Sequence, residues 1–551
     1  MPARAQLKAS AIAIVAAAVT AAAVTGCDAN GGTPVRIGGA TGRVLAAHQV
    51  LHLGNGTEIQ TLDPHRNEDV SGSNVLRDVY EGLVNEAPSG DPEPGAAESW
   101  TVSEDGKTYV FALRRSARWS NGDPVSADDF VYGFRRAADP KTLSAYTFIL
   151  SPIENADEIG AGRLPPDRIG VRALDDYTLE IRLANATPYF LGLLAHSTTY
   201  PVHRASVEKY GIKFTRPGNL VGNGAFRLDE WVVQSHIKLV RNPYYWDDPH
   251  TVLQEVYFYP TENVPAELQR YRANDLDYTY DISTAQLPWI KREIPDELYV
   301  APYLGSYYYG FNTTKPPFKD NPKLRRALSL AVDRKVIVEQ ILGAGQPPAY
   351  GWVPPVHHYE PQQMVEASWT QEQREAEAKR LYAEAGYSAE NPLQTELMFN
   401  THEDHRRIAV TIAAMWKRVL GFEVTISNQE WKVFIDTRTQ KVATQVFRGS
   451  WIGDYDDAFT FAELLRSTSG QNDPGYDNPE YDRLLDAAQA ELDLERRAEL
   501  LEQAERVMLA DMPILPLYFY VSKHMIKPWV QGRQSNIMDH DLHKRFYVLE
   551  H

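Results

Sequence analysis

From Gln49 to Leu549, short segments of period-two hydrophobicity are interleaved with segments of helical period. No other feature constrains the fold as much. Asp176 to Leu183 alternates apolar and polar residues, as a half-buried strand does. Leu324, Leu328, Val332 and Val336 recur at helical spacing, and so do Ile408, Ile412, Met415 and Val419. A chain that interleaves the two periods buries its apolar faces by laying helices on sheets, which points to α/β lobes rather than a bundle or a barrel. With 551 residues and 43% hydrophobic content, two to four such domains are expected. The single cysteine, Cys27, rules out an intramolecular disulfide and a thiolate zinc cluster. Burial must therefore hold the fold together.

Local punctuation sets expected boundaries. Asp105-Gly106 is a hairpin turn between two strand patterns, and Ser126 with Asp129 forms a capping box that opens a helix. Gly386 and Gly421 stop helices that begin near Gln371 and His405. Asn74 to Leu83 reads as a helix, and Asn321-Pro322 starts one expected to run to Leu342. Two helices fit between Tyr481 and Leu509, and strands are expected at 442–448, 514–521 and 544–549. Tyr307, Tyr308 and Tyr309 place aromatic rings on both faces of a strand, which must be buried or face a ligand.

The N-terminus reads as an export signal. Arg4 and Lys8 precede an apolar run from Ala9 to Val24, too short and alanine-rich for a spanning helix. Val24-Thr25-Gly26-Cys27 resembles the bacterial lipoprotein signal, which implies cleavage after residue 26 and acylation of Cys27. Acyl chains would hold a soluble body at a membrane surface. Asp28 implies, by the same resemblance, retention at the outer face of the inner membrane. Residues 27–47, rich in glycine and small residues, would be the tether. The alternative is an ordinary cleaved signal that happens to end near a cysteine.

With 56 Lys plus Arg against 73 Asp plus Glu, the formal charge is -17. Loss of residues 1–26, with two bases and no acids, makes it -19. No basic stripe marks a nucleic-acid partner. Chemistry is equally unmarked. His402 and His405 flank Glu403-Asp404 without the HExxH spacing, and adjacent His357 and His358 diverge in regular structure. His540, His543 and His551 read as a solvated surface. Gly222-Asn223-Gly224 falls short of a phosphate loop, and no GxSxG elbow is present. No metal, cofactor or catalytic role is expected.

Several segments together resemble the oligopeptide-binding protein family, the extracytoplasmic component of bacterial ABC importers. They include Glu58 to His65, Arg77-Asp-Val-Tyr-Glu-Gly-Leu, Trp119 to Phe130, Val221-Gly-Asn-Gly-Ala-Phe and Arg241-Asn-Pro-Tyr-Tyr-Trp. Phe311-Asn-Thr, Arg325 to Arg334, Gln429-Glu-Trp-Lys and Trp451-Ile-Gly-Asp-Tyr continue the pattern in order. The likeness implies a two-lobed α/β periplasmic-binding-protein fold with hinge strands and an additional inserted domain. It would place the first lobe at 48–72, 197–305 and 521–551, the insert at 73–196 and the second lobe at 306–520.

The resemblance also implies a site. Asp454 would pair with a peptide's α-ammonium, and a buried ammonium does need an ionised partner. Trp451 and Trp431 would wall side-chain pockets, and Tyr146 would reach across the cleft from the insert. Arg448 would help receive a carboxylate end, or else pair with a local acid. Glu58 would lie at the cleft edge, or else orient Arg448. Val221, Gly222, Asn223 and Gly224 would lend backbone groups to the ligand. The implied partners are short peptides, a permease with cytoplasmic ATPases, and the membrane through the lipid anchor only, with a monomeric body. Murein peptides and a non-peptide solute such as an oligosaccharide are the alternative ligands.

Overall fold

A computed structural model describes residues 44–356, 358–441 and 445–551. The signal, Cys27, the tether through residue 43 and His357 lie outside the described residues. Two sheets dominate. In the first, Val50–Gly54 pairs in parallel with Glu255–Tyr259, followed by His236–Arg241 and Phe226–Val232 in antiparallel order. In the second, the order is Thr425–Gln429, Glu396–Asn400, Val446–Ile452, Leu298–Phe311 and Ile514–Met525. A third, antiparallel sheet of Ala97–Val102, Thr108–Leu113, Thr178–Arg182 and Val171–Asp175 interrupts the sequence of the first. The Asp105-Gly106 turn forms as expected, with Gly106 at φ 68°, where a side chain would be strained.

The lobes are joined by the two longest strands, Leu298–Phe311 and Ile514–Met525. Their pairing breaks register between Pro302 and Ser306. On one side of the break they belong to the five-stranded sheet. On the other, Met525 and Ile526 bond to Thr279, Tyr278 and Glu297 of the first lobe. A register break in a two-strand connection is a place where a bend costs little packing.

Both faces of the five-stranded sheet are covered. Leu324, Leu328, Ile408, Ile412 and Trp416 pack one face, and Phe459, Phe461, Leu485, Leu501 and Met508 pack the other. The tyrosine run resolves by strand alternation: Tyr307 and Tyr309 enter one core, and Tyr308 the other. The first sheet and the separate antiparallel sheet share one continuous core, from Leu51 and Val256 through Phe111 and Phe130. That body also reaches the second lobe. The Tyr189 ring stacks on Tyr455 at 4.9 Å and on Phe459 at 5.3 Å, with the Arg497 guanidinium 5.1 Å from its centroid.

Several expected boundaries shift for identifiable reasons. The helix expected from Asn74 runs from Val70 to Val79, because Asp69 caps it by accepting from Gly72 N. The helix after Pro322 stops at Leu330. Asp333 then accepts from Lys335 N and Val336 N and restarts it, while buried Arg334 donates to the carbonyls of Ala349 and Pro516. The strand expected at 442–448 runs from Val446 to Ile452, because its partner continues to Gly305; residues 442–444 lie outside the described residues. The terminal strand shortens to Tyr547–Val548 after a helical turn at His543–Arg545.

Candidate functional site

Asp454 reaches its position through the sheet. Val446–Ile452 lies between a parallel and an antiparallel neighbour, and Gly453 N donates to Leu304 O at 2.8 Å at its end. The chain then turns into a short helix, Phe459–Ala462. Thr460 Oγ1 accepts from Asp454 N at 3.4 Å and from Trp451 Nε1 at 3.3 Å. Asp457 anchors the far side of the turn with two 2.7 Å bonds from Arg497. The loop is thus fixed at both ends, and the Asp454 carboxylate projects between them.

It projects into a cavity of about 490 Å³ between the lobes, large enough for a small organic ligand. Among the described residues, no hydrogen bond or ion pair reaches that carboxylate. Burial, and then the nearby charge of Glu463, push Asp454 up to about 7. Most other acids on the wall already have partners. Asp281 pairs with Lys523, Asp539 with His524 at 2.9 Å, and Asp404 accepts from Thr284 Oγ1 at 2.7 Å. An unpartnered carboxylate held by a rigid loop can take an ammonium group on better terms than water can offer once the lobes exclude solvent.

Tyr146 lines the same cavity and stacks on His196 with ring centroids 4.9 Å apart. Burial raises its phenol, and the charge of Asp454 raises it further; both groups line the one space. Asp454 and Tyr146 are therefore brought together. The other expected site residues sit elsewhere. Trp451 is half-buried against the Phe459 side of the core and does not line the cavity. Trp431 is 50% exposed on the helix Trp431–Gln440 and stacks on Phe434. Arg448 is buried behind the wall: it donates to the Tyr520 hydroxyl at 3.0 Å and lies 4.8 Å over the Tyr307 ring. No acid pairs with it among the described residues. Tyr520 and His405, which do line the cavity, stand between it and the ligand space. Burial, then the Arg448 charge, drive His405 down to about 2, so it is neutral.

Glu58 and the Val221 to Gly224 segment have other partners. Glu58 accepts from Trp231 Nε1 at 2.9 Å and Gln234 N at 2.8 Å, far from Arg448 in the hydrogen-bond network. Val221 packs on the first core. Gly222 O accepts from Ser120 N, and Gly224 N donates to Val79 O at 2.9 Å. Asn223 brackets Glu81, accepting from its N at 3.0 Å and donating to its O at 2.8 Å. A methyl group on Gly222 would come within 2.1 Å of Val79 O. The segment is bound to the end of the helix Val70–Val79, and only glycine allows that approach.

Other wall residues carried no strong sequence signal. Tyr303 sits at the register break of the hinge strands, and Tyr520 on the partner strand. His402 and His405, considered for a metal, lie side by side on the wall, and no group of three metal-ligating residues occurs among the described residues. The expectation of a solvated C-terminal histidine surface holds for His551, which is exposed, and is corrected for the other two. His543 is buried against Asp78 at 2.7 Å and His540 contacts Glu86 at 2.5 Å, because the chain end folds back under the first lobe.

A family model for the bacterial extracellular solute-binding proteins, family 5, matches residues 91–473. The chain belongs to that family. It is a periplasmic solute-binding transport protein, not an enzyme. It is 42% identical over 514 residues to the periplasmic oligopeptide-binding protein OppA of Salmonella typhimurium, covering 92% of this chain and 94% of the relative. Among solved structures it resembles the Escherichia coli murein tripeptide binding protein MppA, with a TM-score of 0.83 and 39% identity over 92% of this chain and 100% of that one. It also resembles Haemophilus influenzae OppA in complex with RPPGFSPFR, with a TM-score of 0.80 and 40% identity over 92% and 100% of the two chains. The expected two lobes joined by strands are the architecture of these relatives.

Proposed function

We propose that this protein captures short peptides in the interlobe cavity and delivers them to an ABC permease powered by cytoplasmic ATPases. The observation that carries this reading is the Asp454 carboxylate, unpartnered and aimed into the cavity beside Tyr146. Asp454 receives the α-ammonium, Tyr146 closes over it from the opposite side, and Arg448 acts on the ligand through the Tyr520 hydroxyl. The lobes close about the register break in the hinge strands. In this reading the segments 48–72, 197–305 and 521–551 form the first lobe, 73–196 the insert and 306–520 the second lobe. Cys27 carries acyl chains that hold the monomeric body at the inner membrane.

Murein peptides are a second reading, favoured by the likeness to the E. coli murein tripeptide binding protein. The deciding experiment denatures the purified mature body, made without Cys27, and identifies the released ligand by mass spectrometry. Mixed short L-peptides support the first reading. A single muropeptide supports the second. A sugar, or no ligand together with no heat on titration with a peptide pool, overturns both.

A further inference from the structure

Two cationic side chains line the cavity among the described residues, Arg77 and Lys523. Lys523 is neutralised by Asp281. Among the described residues Arg77 has no such partner. It stands half-buried in the last turn of the helix Val70–Val79 and gives one hydrogen bond, to Asn74 Oδ1 at 3.1 Å. A guanidinium has five N–H donors in a fork that matches a carboxylate. Asp78, its neighbour in sequence, is engaged with His543, and Glu86 on the same wall with His540.

The helix end that carries Arg77 is held on two sides. Gly224 N and the Asn223 side chain bind the backbone from Val79 to Glu81, and the Asp78–His543 pair fixes the opposite face. Such anchoring leaves the guanidinium little to do for the fold beyond a favourable place at a helix C-terminus. It lines the cavity together with His196, which burial and then the Arg77 charge drive down to about 3. His196 is the ring on which Tyr146 stacks, and Asp454 lines the same cavity. Arg77 and Asp454, of opposite charge, thus share a single cavity with that stacked pair of rings.

We propose that Arg77 is a specificity-determining residue that binds a carboxylate of the ligand, while Asp454 holds its ammonium. The cavity then selects zwitterionic or acidic peptides over neutralised ones. This inference rests on the peptide-binding reading. The carboxylate is either the peptide's C-terminus or an acidic side chain, and the same chemistry serves both.

The test is calorimetric titration of the mature body with two matched pairs: trialanine against trialanine amide, and Ala-Glu-Ala against Ala-Gln-Ala. Wild-type protein should favour the carboxylate member of at least one pair by roughly tenfold or more. Arg77→Gln should abolish that ratio, and Arg77→Lys, which keeps the charge but loses the fork, should retain part of it. Loss in the first pair assigns the C-terminus, and loss in the second an acidic side chain. Each ratio is internal to one variant, so a change in stability alone does not move it. If Arg77→Gln fails to fold, an unchanged ratio in Arg77→Lys overturns the inference. Equal weakening of all four peptides, or wild-type ratios near one, also overturns it and leaves the peptide-binding reading standing. Failure of wild type to bind any of the four overturns both.

Discussion

Replacing Asp454 by Asn separates the two things its position does. Folding raises the acid from 3.8 to about 7, mainly through burial. That rise corresponds to about 4 kcal/mol disfavouring the ionised form, an upper figure for a side chain at a cavity wall. Because the folded value lies above the unfolded one, this group's stabilising contribution is complete below pH 3.8 and is lost as pH rises through about 7. Asparagine cannot ionise, so Asp454→Asn should leave the melting temperature of ligand-free protein unchanged near about pH 4 and raise it at about pH 8. Binding should move the other way. An ammonium buried against an amide lacks its counter-charge, at a cost of about 3–5 kcal/mol, or roughly a hundred- to a few-thousand-fold in affinity for trialanine. In wild-type protein, affinity should fall up to about tenfold for each pH unit below 7, and binding should take place with proton release from Asp454. Calorimetry in buffers of different ionisation enthalpy measures both quantities. Trialanine binding to Asp454→Asn within about threefold of wild type would refute the argument, as would a melting shift of equal size at both pH values.

Two further outcomes follow from residues whose partners lie outside the cavity. Gly224→Ala sets a methyl group 2.4 Å from Asp78 O, and should lower the melting temperature by an amount equivalent to about 1–3 kcal/mol of overpacking. An unchanged melt would show that the helix end yields easily. Glu58→Gln keeps one acceptor for Trp231 or Gln234 and loses the other, so it should cost about 1 kcal/mol of stability. Trialanine affinity should not change, and a large loss in calorimetry would return Glu58 to the site.

Legibility varied with the range of the interaction. The capping box at Ser126 and Asp129, the Asp105-Gly106 turn and the glycine stop at Gly421 need only neighbours within a few residues, and they stand where periodicity and turn chemistry put them. The restart at Asp333 was less visible, because it depends on Arg334 finding the carbonyls of Ala349 and Pro516. The α/β class is likewise a property of local pattern and composition, and the expectations of an export signal and of no catalytic spacing rest on the same kind of reading. They follow from the chain alone.

The cavity does not. Asp454 comes from the loop after one sheet strand, Tyr146 and His196 from the body packed on the first sheet, Arg77 from a helix held by a glycine segment far along the chain, and Tyr520 from a hinge strand. Whether an acid is paired or free, and whether an arginine faces a ligand or stands behind a tyrosine, is decided by which distant elements come to rest against it. Arg77 stands in one family-like motif and Arg448 three residues before another, yet of the two only Arg77 opens into the ligand space. The difference is set by Tyr520 and His405, whose positions are fixed by strand register and helix packing, and no window of sequence around either arginine contains them.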